Sequence, residues 1–512
     1  MNDFTRRALT RRTFLNESWV AASALAAGAV IAGPARAARA PDLKAVYKEV
    51  ERRHDESLKR LQEWIGVGSI AAENVGMAEG CDMMRRLALD AGFQRAECMQ
   101  TKGHPGVFAT LDAGARRTLG LYFMYDVKQV NPEEWSSPPW EARLVDMPER
   151  GKVVMGRGAV NQKGPQSALL AALHAIRGAG RKIPVNLVLV AEGEEEIGSP
   201  NFPQIVLAPE VKSALSKSIG VFMPEAAQEW DGSVIITLGN KGDIECDLIA
   251  SGAKWGRGPS ERDVHSSLAA RLDQPAWHLV QALNTLVTPA GDPAIDGFFE
   301  KVRPLTPAEH AMLDLAAKQL DEKEFKESLG IKTWARDATW RQALEDGVSR
   351  PTVTIEGLVG GHTGAGGKTI LPHRMVAKLD MRLVPNMTPD DTVAKLRAHL
   401  AKRGFGDIEV VINGGMNEVS STSADSELIR AERELYRQYG IEPLLMPRSG
   451  GSDPSSVFTS EPLKLAAGGF GMGFGERAHA PDEYYVIESK NPKVAGLDGA
   501  VRSFVDCLYA LA

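Results

Sequence analysis

Val185-Asn186-Leu187-Val188-Leu189-Val190 runs, through Ala191, into Glu192-Gly193-Glu194-Glu195-Glu196-Ile197-Gly198-Ser199. The first part is a β-branched and leucine run with one polar residue, the pattern of a strand buried on both faces. The second part places four carboxylates within five residues at the end of that strand. Charge runs are commonly solvated loops, but a buried strand directly before this one carries the acids to the edge of a core. Clustered carboxylates there need a cation to balance them, and one can be left free as a base beside a polarised water. Outward from this stretch, Thr118 to Phe123 reads as a second buried strand followed by Met124-Tyr125-Asp126. Gly164-Pro165 opens a helix through Ile176. Strand, helix and strand joined by short connections predict an α/β layer with a mostly parallel sheet. In such sheets ligands bind beyond the carboxyl ends of the strands.

The chain has 512 residues, too many for one core, so at least two domains are expected. Helical periodicity covers Leu43 to Trp64, and a second helix is predicted from Asn74 to Ala91. The pattern changes after about Leu238. Strands at Ile244–Ile249, Thr352–Leu358, Met375–Leu383 and Ile408–Ile412 alternate with helices at Leu268–Val287 and Thr388–Lys402. Thr388 is read as the cap of the last helix and Pro389 as its first residue. This is a compact α+β unit over 239–413, inserted into a first domain formed by 41–238 and 414–512. The charged, helical stretch from Pro289 to Arg350 has no assigned place.

Charged residues make up 25% of the chain and apolar residues 43%, a balance that excludes a globally disordered protein. The formal net charge is −6. The first 37 residues hold five Arg against two acids, so the remainder is more acidic still. Such a body has no electrostatic footprint for nucleic acid. Thr10-Arg11-Arg12-Thr13-Phe14-Leu15, an apolar run from Trp19 to Ile31 and Ala35-Arg36-Ala37 have the parts of an export signal over 1–37. The paired arginines resemble a twin-arginine address, so a periplasmic or secreted protein is expected, with no membrane attachment after cleavage. Cys81, Cys98, Cys246 and Cys507 fit neither a zinc knuckle nor a redox pair. They are read as small buried side chains, although an oxidising compartment would permit a bridge that the sequence does not assign.

Three further segments carry polar clusters. Gly156-Arg157-Gly158-Ala159-Val160-Asn161-Gln162-Lys163-Gly164 is a glycine-rich turn without the spacing of a nucleotide loop. Asp263-Val264-His265-Ser266 lies in the inserted unit, and Ala478-His479-Ala480-Pro481 near the C-terminus. In this order, with Arg382-Leu383-Val384-Pro385, the segments resemble the zinc-dependent superfamily of acetylornithine deacetylase, succinyl-diaminopimelate desuccinylase, carnosinase-type dipeptidases and glutamate carboxypeptidase. The carnosinase-like branch is the most similar.

The resemblance implies an α/β, mostly parallel-sheet zinc-exopeptidase-like catalytic domain and an inserted α+β dimerisation domain. It implies a metallohydrolase of amide bonds acting on a dipeptide or N-acyl amino acid. Such enzymes use two zinc ions about 3.5 Å apart. By resemblance Glu195 is the general base, Glu196, Glu225 and His479 are metal ligands, and Asp126 orients the ligand of the first strand. His265 reaches the active site of the other subunit of a homodimer. Arg382 with Gly450, Gly451 and Ser452 holds the substrate carboxylate. Two positions depart from the pattern. Met124 stands where the family has a ligating His, and Asn161 where it has a carboxylate bridging both ions. A thioether is a poor zinc ligand beside imidazole, and a neutral amide is a weak ligand that cannot hold two dications together. One zinc ion or another divalent metal is therefore expected rather than two. The same scaffold would also serve acyl transfer, or a non-catalytic carboxylate binder.

Overall fold

The computed structural model describes residues 42–512, so the export signal expected over 1–37 lies outside the described residues. The central sheet has six strands: β1 (Arg95–Met99), β2 (Gly106–Leu111), β3 (Thr118–Met124), β6 (Asn186–Glu192), β7 (Ser218–Pro224) and β16 (Ala467–Phe470), in the order β1-β2-β6-β3-β7-β16. From β6 through β16 all pairings are parallel, while β1 and β2 add antiparallel strands at one edge. The fold is thus mixed α/β around a mostly parallel sheet. Helix Gly164–Gly178 is apolar on nearly every side and is buried along most of its length, as a helix sandwiched between layers must be. The main core draws on both ends of the chain: Leu121, Leu189 and Phe222 share it with Ile429, Phe470 and Phe504.

A second, antiparallel sheet flanks the site: β4 (Arg143–Met147), β5 (Gly151–Met155), β17 (Gly475–Glu476) and β18 (Tyr484–Ser489), ordered β17-β18-β5-β4. The intervening region has its own sheet of β9 (Gly242–Ser251), β11 (Thr352–Gly360), β13 (Arg374–Leu383) and β14 (Glu409–Asn417), ordered β11-β13-β9-β14. Its core includes Leu248, Leu279, Leu379 and Leu396. Two short pairs complete the strands: β8 (Ile235–Thr237) runs parallel to β15 (Leu444–Met446), and β10 (Val264–His265) antiparallel to β12 (Ile370–Leu371).

Several local expectations change. The long helix expected over Leu268–Val287 is confined to Pro275–Asn284, because Pro275 starts it and the chain before it turns through a short 3-10 helix at Ser266–Leu268. The first amphipathic segment is two helices, Lys44–Arg52 and His54–Ile65, broken at Arg53. Thr388 occupies the cap position before Pro389 but makes no side-chain capping bond. Cys81 and Cys98 are not two separate buried thiols: their Cα atoms are 6.4 Å apart and the sulfurs are joined as a disulfide. Cys246 and Cys507 are free and buried.

The stretch from Pro289 to Arg350, unplaced from sequence, holds three α-helices: Pro307–Gln319, Glu322–Leu329 and Trp340–Ser349. Leu313, Leu344 and Val348 pack there against Leu444 and Met446 of β15. Beside them the buried Arg448 donates to Glu309 Oε1 at 2.5 Å and to the Val348 carbonyl at 2.8 Å. This anchor sits two residues before Gly450. Among the described residues no helix is long and apolar enough to cross a membrane.

Candidate active site

The polar segments collect at the carboxyl ends of parallel strands. Asp126 follows β3, the acidic run follows β6, and Glu225 follows β7. The turn after β5 and the loop between β17 and β18 arrive from the flanking sheet.

The four acids of the run divide into two pairs. Glu192 and Glu194 are structural. Tyr122 and Ser199 hydroxyls donate to Glu192 Oε1 at 2.8 and 2.9 Å. Glu194 accepts from the His104 amide at 2.9 Å and from Asn201. Burial, then the Asp126 and Glu195 charges, pushes the Glu192 carboxyl well above the usual range. Glu195 and Glu196 form a buried 3-10 turn. Asp126 fixes it by accepting the Glu195 amide at 3.2 Å and the Glu196 amide at 2.9 Å. Burial raises the Asp126 carboxyl too, with Glu196 and then Glu195 adding to the effect. With Met124 ahead of it, Asp126 therefore acts here on the backbone of the acid pair, not on a ligating imidazole of the first strand.

Glu196 is the hub. Its Oε1 lies 2.7 Å from Asn161 Nδ2, and its Oε2 lies 3.0 Å from His479 Nε2. Asn161 Nδ2 is also 3.0 Å from His479 Nε2, so the three side chains converge on one point. Glu483, fully buried, ties the two loops that bring them there. It accepts from Arg157 Nη1 at 2.7 Å and from the amides of Gly158, Val160 and Asn161 at 3.0, 3.0 and 2.9 Å. His479 itself has φ of +65°, a left-handed conformation uncommon for a residue with a Cβ and frequent at functional sites. Lys128 also reaches the hub: its ammonium donates to the Glu196 carbonyl and lies 3.4 Å from Glu196 Oε2. Among the described residues no three His, Cys, Asp or Glu side chains form a metal-holding group. The convergent set is one Glu, one His and one Asn.

The other predicted site residues have surroundings of their own. Glu225 packs beside Gly469 of β16, where a Cβ would fall 2.2 Å from its Oε1. It lines a polar cavity of about 190 Å³ with Gln162, Glu229, Asn240, Ser449 and Asp453. Gly450 faces a neighbouring apolar pocket with Trp334 and Trp340, and Ser452 is buried. Arg382 Nε donates to Asp380 at 2.9 Å. His265 is exposed, with Nδ1 2.8 Å from Ser267 Oγ and Nε2 3.1 Å from Thr369 Oγ1, so within one chain its ring is engaged inside the inserted unit.

Lys128, Glu483 and Lys241 escaped the sequence reading. The clue for Lys128 was a long cationic side chain two residues beyond Asp126. The clue for Glu483 was a carboxylate four residues beyond His479, in the same loop. Lys241 is buried, bonds the Arg350 carbonyl at 2.6 Å and lies near Arg382 and Arg448; nothing in its local sequence marks it.

Residues 121–502 match the profile of Peptidase family M20/M25/M40. Among characterised relatives, the Cys-Gly metallodipeptidase dug1 of Schizosaccharomyces pombe is 26% identical over 466 residues, covering 86% of this chain and 94% of that protein. The Beta-Ala-His dipeptidase of Homo sapiens is 26% identical over 449 residues, covering 82% of this chain and 84% of its own. The crystal structure of an M20 family metallo-carboxypeptidase from Sulfolobus solfataricus superposes with a TM-score of 0.79 at 31% identity, over 89% of this chain and 99% of that one. With the profile spanning most of the sequence and the polar segments gathered at one edge of the sheet, the chain belongs to the M20/M25/M40 peptidase family, metal-dependent hydrolases of peptide bonds.

Proposed function

We propose that the protein hydrolyses the amide bond of a small carboxylate-bearing substrate, a dipeptide or an N-acyl amino acid, at a centre holding one divalent ion. The observation that carries this reading is the buried Glu195–Glu196 turn at the end of β6 with His479 Nε2 3.0 Å from Glu196. The donor set suits one ion. Glu196 and His479 supply an oxygen and a nitrogen, and the Asn161 amide can turn its oxygen toward the same point, since amide orientation is set by the network around it. A bridged pair is not supported, because Asn161 is neutral and Met124 offers only sulfur. Zinc suits these ligands best. When bound, the ion would supply a Lewis acid and lower the pKa of the attacking water.

The chain's own groups account for the rest. Glu195, held by Asp126 through its amide, accepts the water proton and returns it to the leaving nitrogen. Arg382 and the Gly450-Gly451-Ser452 turn receive the substrate carboxylate. His265 serves the site of a second copy of this chain, since its position in the inserted unit is exposed. A homodimer through that unit agrees with β11, an edge strand on which Ile355, Leu358 and Val359 are about half exposed. Export to the periplasm or beyond agrees with the Cys81–Cys98 disulfide, a bond that persists in oxidising compartments.

The test is a panel of dipeptides and N-acyl amino acids given to purified protein with zinc or another divalent metal, with products identified and metal measured. Release of free amino acids that stops on chelation supports the reading. A product formed only with an acyl acceptor would move it to acyl transfer. Binding without turnover of any substrate would leave a carboxylate binder.

A further inference from the structure

Both oxygens of Glu196 already face protein partners. Asn161 Nδ2 donates to Oε1 at 2.7 Å, while Oε2 lies 3.0 Å from His479 Nε2 and 3.4 Å from Lys128 Nζ. Lys128 is held at this place by a second bond, from its ammonium to the Glu196 main-chain carbonyl. Its side chain is one-third exposed, whereas that of Glu196 is 4% exposed. A lysine at the mouth of the site thus presents a point charge to a buried carboxylate, on the same oxygen that His479 approaches. Ammonium is compact and strongly attracted to carboxylate at low dielectric, so it does part of what a metal ion does there, which is to balance the buried negative charge. It also repels any dication that binds between Glu196 and His479.

We propose that Lys128 is the counter-cation of Glu196, and that a divalent ion enters this centre only in competition with its ammonium. Lys128 is then a positioning residue that sets metal affinity. The inference rests on the reading of Glu196 and His479 as the metal-holding pair. The nearby Asn161 fits the same design, since a second carboxylate there would draw the ammonium away from Glu196 and demand a stronger cation.

The test is zinc affinity rather than turnover. Full-length protein stripped with chelator is titrated with Zn²⁺ in competition with a chromophoric chelator of known affinity, for the unmodified chain, Lys128→Met, Lys128→Gln and Lys128→Arg. Both neutral variants are expected to bind zinc at least about tenfold more tightly, and the Arg variant to stay near the unmodified protein, because it keeps the charge. Thermal melts of each variant establish folding, and the Gln variant serves if the Met variant does not fold. Equal or weaker zinc binding by a folded neutral variant overturns the proposal. A protein that cleaves no dipeptide yet shows this tightening loses the proposed activity and keeps the Lys128 assignment. A dipeptidase whose zinc affinity ignores Lys128 keeps the activity and loses the assignment.

Discussion

The Asn161 side-chain amide nitrogen lies 2.7 Å from Glu196 Oε1, so two positions expected by resemblance to hold metal are joined here by a direct hydrogen bond. An aspartate at 161 would place two carboxylates in contact instead. Asn161→Asp is therefore expected to lower stability in chelator by about 1–3 kcal/mol, the cost of leaving a buried polar group badly paired. Added zinc should restore it, since ligand binding to the folded state adds stability. Adding Met124→His should raise the metal bound per chain to two. Melting curves with and without zinc, and elemental analysis, check this; a variant with unchanged melting and no zinc response would refute the site assignment.

Glu195→Gln should cut amide hydrolysis by about 10²–10⁴-fold. The Asp126 bond to the Glu195 amide does not involve the altered side chain, so fold and zinc content should be retained. Full activity in the Gln variant would remove Glu195 from the role of base.

Lys241 offers a pH test away from the Glu196–His479 cluster. Burial, reinforced by Arg448 and Arg382, pushes its amine down to about 8. The folded state therefore loses this proton before the unfolded state does. The buried charge costs stability below about pH 8, and that cost, on the order of 3 kcal/mol, is relieved as pH rises toward 10. Lys241→Met should thus be favoured over the unmodified chain more at pH 7 than at pH 9.5. A melting-temperature difference that is the same at both pH values would contradict the sign of this shift.

The exposed apolar residues of β11 make the dimer testable. Ile355→Lys with Val359→Lys should shift light scattering from dimer to monomer. If His265 serves the second site, activity should fall with the dimer while zinc affinity stays. An unmodified protein that is monomeric and fully active would refute this arrangement.

The fold class and the acidic run at the end of its strand were legible because they depend on local pattern. A β-branched run ending in Glu192–Glu196 states its own burial, and the β6–β3–β7 pairing follows from strands joined by helices. The boundaries of helices were less so: Leu268–Val287 has the right periodicity, yet Pro275 lets the helix begin only there. The resemblance singled out Glu195 and Glu196 among the four clustered glutamates, and the structure adds what the other two do: Tyr122 and Ser199 hold Glu192, and His104 and Asn201 hold Glu194.

The sequence by itself determined which residue types reach the carboxyl edge of the sheet, and its resemblance to the family set Met124 and Asn161 where an imidazole and a carboxylate are expected. Only the tertiary structure decided what those replacements are bonded to. Glu483 joins loops more than three hundred residues apart, Lys128 bends back onto Glu196, and the helices of 307–349 stand behind the Gly450 turn through Arg448. The Cys81–Cys98 bond has the same origin. Periodicity reports the faces of single elements, because burial repeats with the backbone. Long-range pairs of polar side chains carry no such period, so their partners are fixed only when packing brings the loops together.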